Sequence, residues 1–137
     1  MSHLDDDDRA LLSALLDGGV DASRFGHGQH VRAAWALLED VGLERTLASY
    51  PAAIRRIAAR HDAPQRYHAT ITLAYLFLID ERRRAHPRAS WDEFAAANPD
   101  LLSWSPSILE RYYSRERLWS DDARRFFVLP DRTHGQG

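Results

Sequence analysis

Residues 67–79, YHATITLAYLFLI, are apolar nearly all round, and no folded chain leaves such a stretch in water without losing the main driving force for folding. Ile, Thr, Tyr and Phe suit a buried strand. Yet thirteen residues exceed a usual strand, no partner strand is visible, and the flanking segments carry a helical period. The stretch is therefore predicted to be a central helix, and the rest of the chain has to cover it on all sides. An all-α fold follows, a compact single-domain bundle of about five to six helices over residues 1–130, with 131–137 as a flexible tail.

The covering helices can be read from their apolar spacing and stop signals. One is expected from about Leu4 to Leu16, with Leu11, Leu12, Leu15 and Leu16 as its stripe, the acids Asp5 to Asp8 at its positive end and Gly18–Gly19 as its stop. The acidic run reads as helix-dipole chemistry and solubility. A second opens near Gly26 to Gly28, buries His30, Val31, Ala34, Trp35, Leu37 and Leu38, and ends at Gly42. A third spans Leu43 to Arg60, kinked or split by Pro51, with Arg45, Arg55, Arg56 and Arg60 outward. ERRRAHPR then leaves the core as a polar connection. Ser90 and Glu93 make a capping box for WDEFAAAN, closed by Pro99. Ser105–Pro106 is expected to start a further helix carrying Ile108, Leu109, Tyr112 and Tyr113, and a last turn or two begins near Ser120. Trp35, Trp91, Trp104 and Trp119 are expected to anchor the core.

Composition removes several classes of chemistry. The 137 residues include 18 basic and 20 acidic side chains, a net charge of −2, so no overall positive field favours nucleic acid. A helix-turn-helix DNA reader is the weakest option, because so acidic a chain offers few phosphate contacts. All basic residues are Arg, a pattern of GC-rich bacterial coding, and the absence of Lys rules out Schiff-base catalysis and a phosphate-loop lysine. Without Cys there is no disulfide, thiolate nucleophile or Cys-based metal centre. The acidic start MSHLDDDDR does not resemble a signal peptide and no segment is long and apolar enough to span a membrane, so a cytoplasmic protein with no membrane partner is expected. A homo-oligomer is compatible with all of this.

Histidines carry the remaining chemistry. In FGHGQHVRAAW, His27 and His30 are three apart at a helix start and share a face, where the positive helix end favours the neutral, metal-binding imidazole. His68 stands near the start of the buried helix, with Thr72 and Tyr75 on the same face. If the two helices pack together, His27, His30 and His68 can form a three-histidine site for zinc, copper or iron with an open position for water or substrate. On that reading the protein is a small metalloenzyme acting on a small-molecule substrate, Tyr67, Thr72 and Tyr75 line or orient the reacting groups, Arg32 meets an anionic substrate, and Tyr112 borders the pocket. For any one histidine a helix cap or a buried hydrogen bond is the commoner role, and for Arg32 a surface ion pair is the commoner one. The competing reading is a non-enzymatic interaction or regulatory module with structural histidines, whose Arg55, Arg56 and Arg60 face or Arg82–Arg84 run meets an acidic partner. His61 reads as a helix cap, and His3, His86 and His134 as solvated. No GxSxG, HExxH, P-loop, GxGxxG or EF-hand pattern and no paired ExxH motif is present.

The segments FGHGQHVRAAWALL, RYHATITLAYLFLI, WDEFAAANPDLL and LERYYSRERLWSDDARRFFVLPDR together resemble a family of small bacterial helical proteins with F-x-H-x-x-H-V-x-x-A-W followed by Y-H-x-T-x-T. The resemblance covers nearly the whole chain and implies importance for His27, His30 and His68 without implying a reaction. Members often carry Glu after the Tyr–His pair where this chain has Ala69, which implies altered chemistry here if that Glu is a base or ligand.

Overall fold

The computed structural model describes residues 3–132, with the side chain of Ala22 left aside. The described residues form helices and contain no strand. The helices are α1 (Asp6–Asp17), α2 (His27–Val41), α3 (Leu43–Arg60), α4 (Ala69–Ala85), α5 (Trp91–Ala97), α6 (Pro99–Leu102), α7 (Arg115–Leu118) and α8 (Asp121–Arg125). Short 3-10 turns at Ala22–Arg24, Pro64–Arg66 and Ile108–Arg111 join them. Five helices have seven residues or more, in line with the expected all-α bundle. No described helix is long and apolar enough to cross a membrane.

The most enclosed helix is α2, which buries Val31 and every residue from Ala33 to Leu38. It packs on α1, α3, α4 and α6, most extensively on α4. Its small residues Ala33, Ala34 and Ala36 let neighbours approach closely, while Trp35 fills the space toward Trp91 and Phe94, with ring centroids 5.6 and 5.9 Å away. The centre is thus shared by α2 and α4. Phe77 of α4 is exposed, so the apolar run is not buried on every side.

Caps place the helix ends. Asp5 and Asp8 form a reciprocal capping box at the start of α1, and Gly18 ends it at φ +74°, a left-handed conformation that side chains rarely adopt. Ser90 and Glu93 make the expected box before α5. Pro51 is buried inside an unbroken α3, so the helix is not split there. The helix gives up one N–H at that position but keeps the apolar face of Tyr50, Ala53 and Ile57 against the core.

Several expectations need correction. ERRRAHPR leaves the buried core but is not a connection throughout: α4 runs on to Ala85, where Arg82 pairs with Asp100, Arg83 reaches Glu39 and buried Asp80, and Arg84 binds Asp80 as well. Cations in a last turn also suit the helix dipole. This arginine run is therefore occupied internally, and so are Arg56 and Arg60 of α3, which donate to the carbonyls of Leu16 and Gly18. Pro99 opens α6 as well as closing α5. Ser105–Pro106 starts no α-helix; the cap is Ser107, whose hydroxyl accepts from Leu109 N–H and begins only the 3-10 turn Ile108–Arg111. Asp8 is more than a surface acid, being 1% exposed and bonded to Arg32. His3 is not simply solvated, since its ring contacts Glu39 and lies edge-on to Trp35. His61 and His86 occupy the C-cap positions of α3 and α4. Asp131 and Arg132 do not trail free: Asp131 accepts from the N–H and hydroxyl of Ser114, and Arg132 donates to the carbonyls of Tyr112 and Glu110. His134 and the rest of the expected tail lie outside the described residues.

Candidate functional site

A cavity of about 820 Å³ lies between α2, α3 and α4 and is bordered by the Pro64–Arg66 turn and by side chains from residues 104–124. Helical spacing makes its walls. On α2 the positions 27, 30, 31 and 34 share a face, which brings His27 and His30 beside Val31 and Ala34. On α4 and its cap the series 68, 71, 72, 75, 76 and 79 does the same, alternating His68, Thr72 and Tyr75 with Ile71, Leu76 and Ile79. Tyr50 and Ile54 of α3 complete the apolar side.

The three histidines thus border one cavity, but their nitrogens have different commitments. His68 is the N-cap of α4: its Nδ1 accepts from Ile71 N–H at 3.1 Å, while Nε2–H donates to the Leu118 carbonyl at 2.7 Å. Both nitrogens are in use and the tautomer is fixed by its partners. His27 donates from Nε2 to the Leu101 carbonyl at 2.9 Å, which leaves Nδ1 as its acceptor. His30 makes no side-chain hydrogen bond among the described residues, and its ring stands perpendicular to Phe25 at 4.2 Å. Among the described residues no group of three or more His, Asp or Glu side chains is placed to hold a metal ion. The expected ligand set of His27, His30 and His68 is therefore not assembled in this arrangement. The cap and the Leu118 link take up the lone pair and the proton that His68 would need to rearrange.

The imidazoles and phenols of the wall are neutral, and Arg66 and Arg124 are its charged groups. Burial holds His30 down at about 4, helped by the proximity of His27. Burial also lowers His27 against the opposing Leu101 carbonyl, and lowers His68 against Leu118, with Arg124 adding to the decrease. Tyr50, Tyr67 and Tyr75 are all raised by burial, so they present hydroxyls rather than phenolates. Tyr75 shares a 2.8 Å hydrogen bond with Ser107, and Thr72 donates to the His68 carbonyl. Tyr67 lies under the guanidinium of Arg55, 4.6 Å from the ring centroid.

The depressed histidine has a consequence for stability. Its folded-state value lies below the ordinary 6.5, so below that pH the unfolded chain takes up a proton that the folded chain resists. The contribution is complete above about pH 6.5 and is lost as the pH falls toward 4. Urea unfolding at pH 7.5 and 4.5 is expected to show the parent losing on the order of 2 kcal/mol more than His30→Gln. His27 and His68 act in the same window in both proteins, so parallel losses would mean that His30 is not held neutral.

Two expected site residues fall elsewhere. Arg32 turns away from the cavity to Asp8, with Nε and Nη2 at 2.9 and 2.7 Å from Oδ1, since a buried carboxylate holds a guanidinium more firmly than an open rim does. Tyr112 borders a smaller apolar cavity with Phe77 and Phe127. In turn, sequence reasoning missed Trp104 and Trp119, which were expected in the core but are 46% and 52% exposed. Their rings face His27 and His68 at 5.0 and 5.3 Å. A signal was present: both sit in polar surroundings, SWSPS and LWSDD, outside any apolar helical stripe. Arg66 and Arg124 were also missed.

Comparison with protein-family models, with curated proteins and with solved structures finds no match. Function is therefore argued from the site itself.

Proposed function

We propose that this protein binds a small, largely apolar organic molecule in the cavity between α2 and α4. One observation carries the reading: a cavity of about 820 Å³ has an aliphatic floor, with neutral imidazoles and hydroxyls and the arginines Arg66 and Arg124 as its polar groups. Ligand pockets combine that size and that lining, with a few polar groups fixing orientation. His30, free of other side-chain hydrogen bonds among the described residues, and the Nδ1 of His27 are the groups available to a ligand. A base held near 4 is too weak for efficient proton abstraction at neutral pH, which favours binding over acid–base turnover by Tyr67, Thr72 and Tyr75.

A transition metal is the second reading, favoured by the neutral imidazoles of His27 and His30 one turn apart. It requires His68 to give up Leu118 or its cap. Elemental analysis of protein purified without chelators decides it, since near-stoichiometric zinc, copper or iron would replace the apolar-ligand reading.

Calorimetric melting with 1-naphthol and indole tests the binding proposal. A ligand at a hundredfold excess over Kd adds about 2.7 kcal/mol, roughly 8–12 °C at this chain length. Ile71→Trp, which fills the cavity from α4, is expected to melt within a few degrees of the parent and to lose the ligand-induced shift. An unshifted parent, or an equal shift in Ile71→Trp, would place the proposal in error.

A further inference from the structure

Several arginines elsewhere in the fold are matched to acids. Arg32 holds Asp8, Arg82 and Arg111 hold Asp100, Arg83 holds Glu39 and Asp80, and Arg84 holds Asp80. The cavity is different. Arg66 and Arg124 border it, and no Asp or Glu does. Arg124 spends one donor on the Gln65 carbonyl, which draws its guanidinium against the turn that carries Arg66. Arg55 lies over Tyr67, another cavity residue. None of these three guanidiniums forms an ion pair among the described residues, and Arg66 makes no side-chain hydrogen bond among them.

A guanidinium has five donors and no acceptor, so Arg124 keeps most of its donors and Arg66 keeps all of them. In a chain of net charge −2, two arginines and no acid lining one cavity are a local reversal of sign. Long-range attraction falls off within about 8–10 Å at physiological salt, so such a cluster acts on what enters the opening rather than on the protein as a whole. The aliphatic floor below excludes a fully hydrated anion, because the same ligand has to satisfy both regions.

Resting on the proposed ligand cavity, we infer that its ligand is an amphipathic carboxylic acid, with its apolar body against Ile54, Ile71 and Ile79 and its carboxylate at Arg66 and Arg124. Planar guanidinium forks match a carboxylate in two parallel hydrogen bonds. His30 and Tyr67 then face the body of the molecule, where neutral groups suit it better than charges.

Matched probes separate the head group from the body. Isothermal titration at pH 7.5 with 2-naphthoate against 2-naphthalenemethanol, and with decanoate against decanol, is expected to give each acid at least a tenfold lower Kd than its alcohol. The exposed double substitution Arg66→Gln/Arg124→Gln is expected to weaken the acids about tenfold and leave the alcohols within twofold, with an unchanged circular dichroism spectrum. Equal affinities of acid and alcohol in the parent, or acid binding untouched by the double substitution, would overturn the assignment while leaving the cavity a ligand site. If neither member of either pair binds the parent, the assignment and the ligand-cavity proposal fail together.

Discussion

Trp35→Ala is expected to remove about 3–5 kcal/mol of stability, out of the roughly 5–15 kcal/mol typical of a whole domain. Trp35 is 1% exposed and stands where α2 meets α5, in ring contact with Trp91, Phe94 and the edge of His3. Truncation removes dispersion contacts with three rings and leaves a void that helices on either side cannot close. Urea unfolding measures it, and at a typical slope of about 1–3 kcal/mol per molar the midpoint falls by 1 M or more. A loss below about 1 kcal/mol would mean that α5 repacks freely and that Trp35 does not fix the position of α5.

Arg32→Met is expected to cost about 3 kcal/mol, because it leaves the buried Asp8 carboxylate without its cation. Asp8 still accepts the backbone N–H of Asp5, which compensates only part of the desolvation. The double variant Asp8→Leu/Arg32→Met is expected to recover most of the loss, since replacing both buried partners by apolar groups is often neutral. This outcome decides between two roles for Arg32. A substrate-binding arginine would lose ligand affinity with little change in melting, whereas the ion pair with Asp8 predicts a melting loss with titrations at low temperature unchanged. A single variant as stable as the parent would remove the ion pair from any structural account.

The same residue illustrates what a sequence reveals and what it hides. The i, i+3 and i+4 spacing of α2 and α4 was enough to direct His27, His30 and His68 toward one cavity, since those faces follow from helix geometry alone. The bounds of α3 and the Ser90–Glu93 box were equally legible, being local signals. Arg32 lies two positions after His30 on the same helix, and its partner is on α1, twenty-four positions earlier. Pairing of that kind is decided by which helices meet. The extension of α4 through Arg82 and Arg83 has the same origin, because the acids that hold it are Glu39 and Asp100. Histidine tautomers were hidden for a related reason, as the carbonyls of Leu101 and Leu118 that settle them come from α6 and α7, far along the chain. After Ser103 the chain folds as turns of four or five residues, too short for periodicity to register, so only the polar residues around Trp104 and Trp119 announce their outward placement.

Those same turns reach back across the sequence. Thr70 Oγ1 donates to the Phe126 carbonyl and accepts from Val128 N–H, and His68 binds Leu118, so the last described quarter of the chain is fastened onto the start of α4 from 50 or more positions away. Two sides of the cavity are therefore finished at different times. The α2–α4 wall needs only the first two thirds of the chain, while Trp119 and Arg124 join it only after a loop of that length has closed, with the entropy such closure requires. A chain that has not yet closed this loop leaves the α2–α4 cleft without the Trp119 and Arg124 side of its wall.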